Sequence, residues 1–130
     1  MALMAFREPN QVKWVGVRPA HRGTQIAADN QGMAGFIIVY TVSAGKTLYL
    51  TDWSWAIEAT GVGGTGVLAV RDAGDVQLYT LAGGALTVAS AISKACGLFF
   101  PIEIPADYDI FLWSSAATLN VRAFIHGWEE

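Results

Sequence analysis

FIIVYTVSAGKTLYLTDWSWAIE, residues Phe36 to Glu58, sets two runs of β-branched, aliphatic and aromatic residues on either side of Ser43-Ala44-Gly45-Lys46. A glycine-containing gap of four residues between such runs reads as strand, tight corner, strand. In the second run Leu48 and Leu50 hold the even positions, but past Thr51 the large apolar residues are Trp53, Trp55 and Ile57 on the odd ones. Side chains on a strand alternate faces strictly. The change of parity therefore predicts either a bulge near Thr51 and Asp52 or a strand buried on both faces.

The same grammar extends in both directions. Upstream, Gln11 to Arg18 (QVKWVGVR) reads as a first short strand, and Pro19 to Gly32 reads as a long polar link. Downstream, Val67 to Arg71 and Val76 to Ala82 form a hairpin through Asp72-Ala73-Gly74-Asp75. Leu86 to Cys96 offers Leu86, Val88 and Ile92 to one strand face; its alanines also tolerate a helix, and the strand is the reading adopted. Gly97 to Ile104 carries Pro101, which belongs at an edge or bulge. Asp109 to Trp113 and Leu119 to Trp128 complete the set. IPADYDIFL repeats the order of VSAGKTLYL: apolar end, small-residue corner, apolar strand. Two such corners, one in each half, are what a double Greek key needs. The prediction is an all-β, antiparallel β-sandwich of jelly-roll (TNF-like) topology, with residues 1–22 as a basic arm bearing the first short strand and residues 23–130 as the sandwich domain.

The composition says what such a domain does with its surface. Of 130 residues, 53% are hydrophobic and 15% charged, against about 25% charged in ordinary soluble domains. So few charges leave apolar surface that another copy of the chain would cover, and five Trp, four Tyr and six Phe point the same way. Through Arg22 there are four basic residues (Arg7, Lys13, Arg18, Arg22) against one acid, a balance of +3; beyond it four basic residues face ten acids, a balance of −6. A basic leader on an acidic body suggests an arm that docks on something negative. Nucleic acid is excluded as that partner, because four scattered cations are no basic run and the body repels phosphate. Cys96 is the single cysteine, so no disulfide forms within the chain, in keeping with a reducing compartment. MALMAFREPN is too short and too soon charged for a secretory signal, and no apolar run reaches the length of a membrane helix. A soluble protein, made in the cytoplasm, is expected.

Catalytic patterns are thin. Thr60 to Gly66 (TGVGGTG) has the glycine spacing of a dinucleotide fingerprint, but it runs into a strand, so no helix terminus is there to receive phosphate. Asp72 and Asp75 share one turn and lack the further oxygens calcium needs. His21 and His126 are the only imidazoles; no Gly-x-Ser-x-Gly elbow and no His-x-His pair accompanies them. Glu103, Asp107 and Asp109 are close in sequence but read as solvated corner acids rather than a glycosidase pair. No enzyme activity, no cofactor and no metal site are expected. Trp53, Trp55, Trp113 and Trp128 have two candidate uses: packing between identical subunits, or a platform for sugar rings. Burial of one Trp is worth up to about 5 kcal/mol by area, which favours packing.

VYTVSAGKTLYLTDW, LFFPIEIPADYDIFLWSS and the closing VRAFIHGWEE resemble the small jelly-roll virion proteins of tailed bacteriophages, of the capsid-decoration and head-fibre kind. The resemblance spans about Phe36 to Glu130. It implies a non-enzymatic structural protein of the virion, made in the host cytoplasm, that sits on the major capsid protein or another virion protein as a homotrimer. In that setting Arg7, Lys13, Arg18 and Arg22 would contact the capsid, and Trp53, Trp55, Trp113 and Trp128 the neighbouring subunit. The alternative is a carbohydrate-binding or receptor-binding module that uses exposed tryptophans. Neither reading needs a membrane.

Overall fold

In the computed structural model, residues 23–33, 35–87 and 90–130 are described, and they form strands joined by turns, with no helix among them. The eight strands are β1 (Thr24–Gly32), β2 (Phe36–Thr41), β3 (Leu48–Ala59), β4 (Gly64–Arg71), β5 (Gln77–Leu86), β6 (Ala91–Ile104), β7 (Asp109–Ser114) and β8 (Leu119–Glu129). They build two four-stranded antiparallel sheets, ordered β1-β8-β3-β6 and β2-β7-β4-β5. The inner faces press together in a sandwich. Its centre is filled by Leu48, Leu50, Trp55 and Ile57 from β3, Leu68 and Val70 from β4, Ile110 and Leu112 from β7, and Val121 and Ile125 from β8.

The parity break in β3 is a bulge. Leu50 pairs with Gly127 and Asp52 with His126, leaving Thr51 as the extra residue between them. On the other side the mismatch is larger: Leu50 pairs with Ile102 and Asp52 with Gly97, so residues 98–101 of β6, Pro101 among them, bow away from the ladder at an outer edge. Gly127 sits where the bulged strand comes closest. A Cβ there would run into the Tyr49 carbonyl oxygen, so the close approach of β3 and β8 requires glycine.

The two corners lie side by side. Gly45, with φ +75°, closes the first, and Lys46 N–H donates to the Ser43 carbonyl. Across to the second corner, Val42 N–H donates to the Tyr108 carbonyl and Asp107 N–H to the Val42 carbonyl. Beneath them the buried Glu129 carboxylate accepts from Tyr40 Oη (2.7 Å) and Ser43 N–H (2.9 Å). Burial alone would raise the Glu129 pKa, but the Ser43 and Tyr40 hydrogen bonds and the Lys46 charge outweigh it and hold it below its ordinary 4.5. Tyr40 is pushed up, first by burial and then by the carboxylate it serves.

A carboxylate whose folded pKa lies below its unfolded one stabilises the fold fully above the unfolded value. That contribution disappears as the pH falls through the folded value. Wild-type stability should therefore fall on acidification below about pH 4.5, and Glu129→Gln should flatten that slope while lowering stability at neutral pH. Urea titrations at a series of pH values check this.

Two segments depart from the sequence expectation. Residues 24–32, expected to be part of a polar link, form β1, paired along its whole length with β8 from Thr24–Glu129 to Gly32–Val121. As an edge strand it buries only Ile26, Ala28 and Gly32 partway, so its sequence carries little apolar signal. Leu86 to Cys96 is not one strand: Leu86 ends β5 and Ala91 begins β6 on the other sheet. The first short strand expected at Gln11 to Arg18 lies outside the described residues.

Candidate functional site

The outer face of the second sheet carries an aromatic cluster. On β2 and β7, Phe36 pairs with Trp113 and Ile38 with Phe111. The Phe36 ring leans over Phe111, with centroids 5.2 Å apart, and Arg71 of β4 lays its guanidinium over Phe36 at 4.7 Å and over Phe111 at 5.8 Å. Arg71 is held there by Asp109, Nε to Oδ2 at 2.9 Å, while Thr41 donates to the other Asp109 oxygen. Asp75 adds an exposed contact at 3.3 Å. The row Thr41–Asp109–Arg71 thus crosses three adjacent strands and fixes the cluster. Phe111 is covered, but Phe36, Ile38 and Trp113 remain 41%, 37% and 42% exposed.

The outer face of the first sheet is shaped differently. In register across β1, β8, β3 and β6 runs one row, Asp29, Phe124, Ser54, Ala95. Beside it runs a second, Gln31, Arg122, Ala56, Ser93. Both rows are tall on β1 and β8 and short on β3 and β6, so the sheet has a step. Over the low side lies an open cavity of about 690 Å³ lined by both rows. Phe124 is 43% exposed at the step.

Of the four tryptophans marked for subunit contact, Trp55 is 1% exposed and Trp128 2%; both rings are buried within this chain. Trp128 stacks on Tyr49 at 5.2 Å and 14°. Trp53 points inward beside Trp55 and is partly buried against the core. Only Trp113 presents a large exposed surface, so the four do not form one platform. Arg7, Lys13, Arg18, Arg22 and His21 lie outside the described residues. His126 sits 3.6 Å from Asp52 and 3.4 Å from Thr51 Oγ1. No group of three or more His, Cys, Asp or Glu side chains comes together among the described residues. Asp109 is engaged by Arg71 and Thr41. Glu103 and Asp107 are exposed. Asp72 accepts from Gly74 N–H and Val76 N–H, the expected turn chemistry.

Sequence reading missed Phe36, Ile38, Arg122 and Phe124 as surface features. Each sits in a run that also supplies core residues, and only the register tells which face a position takes. The alternation Ala91, Ser93, Ala95, Gly97 was the available signal for a low shelf.

No family model matches the chain, and a search of curated proteins finds no match. Among solved structures the chain is similar, over 87% of its length and 96% of the other chain, to one described as "Bacillus endospore appendages form a novel family of disulfide-linked pili", at 14% identity and a TM-score of 0.31. A likeness of that size leaves the reading of this chain to its own residues.

Proposed function

We propose that the protein is a non-enzymatic structural component of a bacteriophage virion, of the capsid-decoration kind, which assembles as a homotrimer and docks on a protein shell. The observation that carries the reading is the exposed Phe36–Ile38–Trp113 face. About 40% of two aromatic side chains plus Ile38 amounts to roughly 200–300 Å² of contiguous apolar surface. A stable contact buries about 800 Å² per partner, so this patch would supply its apolar centre and the polar residues of β4 and β5 its rim. A second copy is the favoured occupant because the chain carries few charges anywhere with which to keep copies apart. A ring of three closes such head-to-tail contacts without leaving an open filament.

The strand orders β1-β8-β3-β6 and β2-β7-β4-β5 support a jelly-roll reading of the sandwich, since sequence neighbours mostly alternate between sheets and each half contributes a corner. The resemblance of the VSAGKTLYL and IPADYDIFL corners to tailed-phage virion proteins supplies the virion setting, with synthesis in the host cytoplasm. Arg7, Lys13, Arg18 and Arg22 are assigned to the shell contact, the major capsid protein being the expected partner.

Light scattering on the purified full chain should give a trimer. Phe36→Lys with Trp113→Lys should give a folded monomer, with an unchanged circular dichroism spectrum. Wild type should bind expanded capsid shells that lack it, less well as salt rises. Replacing the four arm cations with glutamine should slow shell association about tenfold or more while leaving the trimer intact. A wild-type monomer that ignores such shells would overturn the reading.

A further inference from the structure

The stepped face of the first sheet is a second surface, on the opposite side of the sandwich from the aromatic cluster, and it differs in character. Its polar side chains are uncommitted. Asp29 and Arg122 sit on adjacent strands, diagonal to one another, yet form no ion pair among the described residues, and Gln31, Ser54 and Ser93 make no side-chain hydrogen bond among them. Some polar side chains are engaged, Arg71 with Asp109, Glu129 with Tyr40, Asn30 with the Ile38 carbonyl, and Lys94 with the Gly83 carbonyl. The unengaged set converges on one cavity of about 690 Å³, within the roughly 300–1,000 Å³ of small-ligand sites. An exposed phenyl ring stands at its step.

We propose that this groove binds carbohydrate, an uncharged sugar ring or short oligosaccharide lying on the Ser54, Ala56, Ser93 and Ala95 shelf against Phe124. The charge balance chooses the class. Of the charged residues lining the cavity, Lys94 turns its ammonium to the Gly83 carbonyl and the Trp55 ring, which leaves Asp29 and Arg122; an anionic ligand meets Asp29 and a cationic one meets Arg122, whereas hydroxyl groups use both as hydrogen-bond partners. A sugar ring has an apolar C–H face for the phenyl ring and a hydroxyl edge for Asp29, Gln31 and Arg122. A purely apolar ligand would leave those groups desolvated and unpaired. The low shelf matters equally, because side chains of one or two heavy atoms let a flat ring come down on the sheet.

The inference does not depend on the structural role proposed above. The two surfaces lie on opposite faces of the sandwich, so either can fail alone. The test uses the full chain with neutral cello-, malto- and chito-oligosaccharides and other uncharged glycans on an array, followed by calorimetric titration of the strongest binder. Saturable binding is expected, weakened about tenfold or more by Phe124→Ala and by Arg122→Gln. Ala95→Phe should abolish it by filling the shelf. Val76→Ser, in the exposed turn between β4 and β5 of the other sheet, should leave it unchanged. The three groove positions are on the surface, and unfolding midpoints near wild type would show that the variants fold. Failure of every neutral glycan at millimolar concentration would overturn the proposal. So would binding indifferent to Phe124, Arg122 and Ala95, or selective binding of charged sugars or peptides instead.

Discussion

Trp55→Ala is expected to lower the unfolding free energy by about 4 kcal/mol, within the range for large aromatic-to-alanine changes in cores. Trp55 is 1% exposed at the centre of β3, and its ring reaches across the sandwich to Gly84 of β5, whose missing side chain makes room for it. Lys94 holds its ammonium 6.0 Å from the ring centroid, so the loss would also remove a cation–π contact. Set against this, the indole Nε1 is buried with no hydrogen-bond partner. Trp55→Phe keeps most of the ring and removes that orphan donor, so its cost should stay below about 1.5 kcal/mol. Urea unfolding of both variants measures the contrast. The same loss should be found at every protein concentration, because the ring packs within one chain, whereas an interfacial ring would show a loss that depends on dilution. A Trp55→Ala cost under about 1 kcal/mol would contradict a tightly packed site.

Asp109→Ala should cost about 3 kcal/mol, near the lower end for breaking a buried pair because Arg71 keeps some contact with water. Asp109 is 8% exposed, and its carboxylate serves both Arg71 Nε and the Thr41 hydroxyl. Its removal leaves the guanidinium over Phe36 and Phe111 with only Asp75, whose side chain is 71% exposed. An ion pair that open recovers at most about 1 kcal/mol. Asp109→Asn preserves the shape and part of the hydrogen bonding and should fall between. The double variant Arg71→Met, Asp109→Leu should lose less than the two single changes together, since neither buried charge is then left alone. A double-mutant cycle by urea denaturation gives the coupling; additive costs would mean that the pair is only an exposed contact.

Much of the fold is written locally. With Leu48 and Leu50 even while Trp53, Trp55 and Ile57 are odd, the sequence left a bulge near Thr51 or a strand buried on both faces, since no regular strand can bury both sets on one face, and the structure has the bulge. Pro101 forecast an irregular edge because it cannot donate to a ladder. Gly45 and the Pro105 to Tyr108 turn marked the corners, although nothing local revealed that they hydrogen-bond to each other. The weak points were equally physical. β1 is held by β8 rather than by its own apolar residues, so Thr24 to Gly32 looked like a link. The alanines and serines of β6 read ambiguously because they form the low half of the stepped sheet rather than a core face.

The sequence by itself determined most of the strands, their corners, the change of parity at Thr51 and the low charge, because each depends on residues within a few positions of one another and on the period of two that a pleated backbone imposes. Only the tertiary structure decided which tryptophans are interior, that Arg71 meets Asp109 beneath Phe36, and that Asp29, Phe124, Ser54 and Ala95 share a row. Strands adjacent in a sheet here come from positions as far apart as Asp29 and Phe124. Register between such strands is set by the packing of the whole sandwich, and a shift of one residue would send every one of these side chains to the other face.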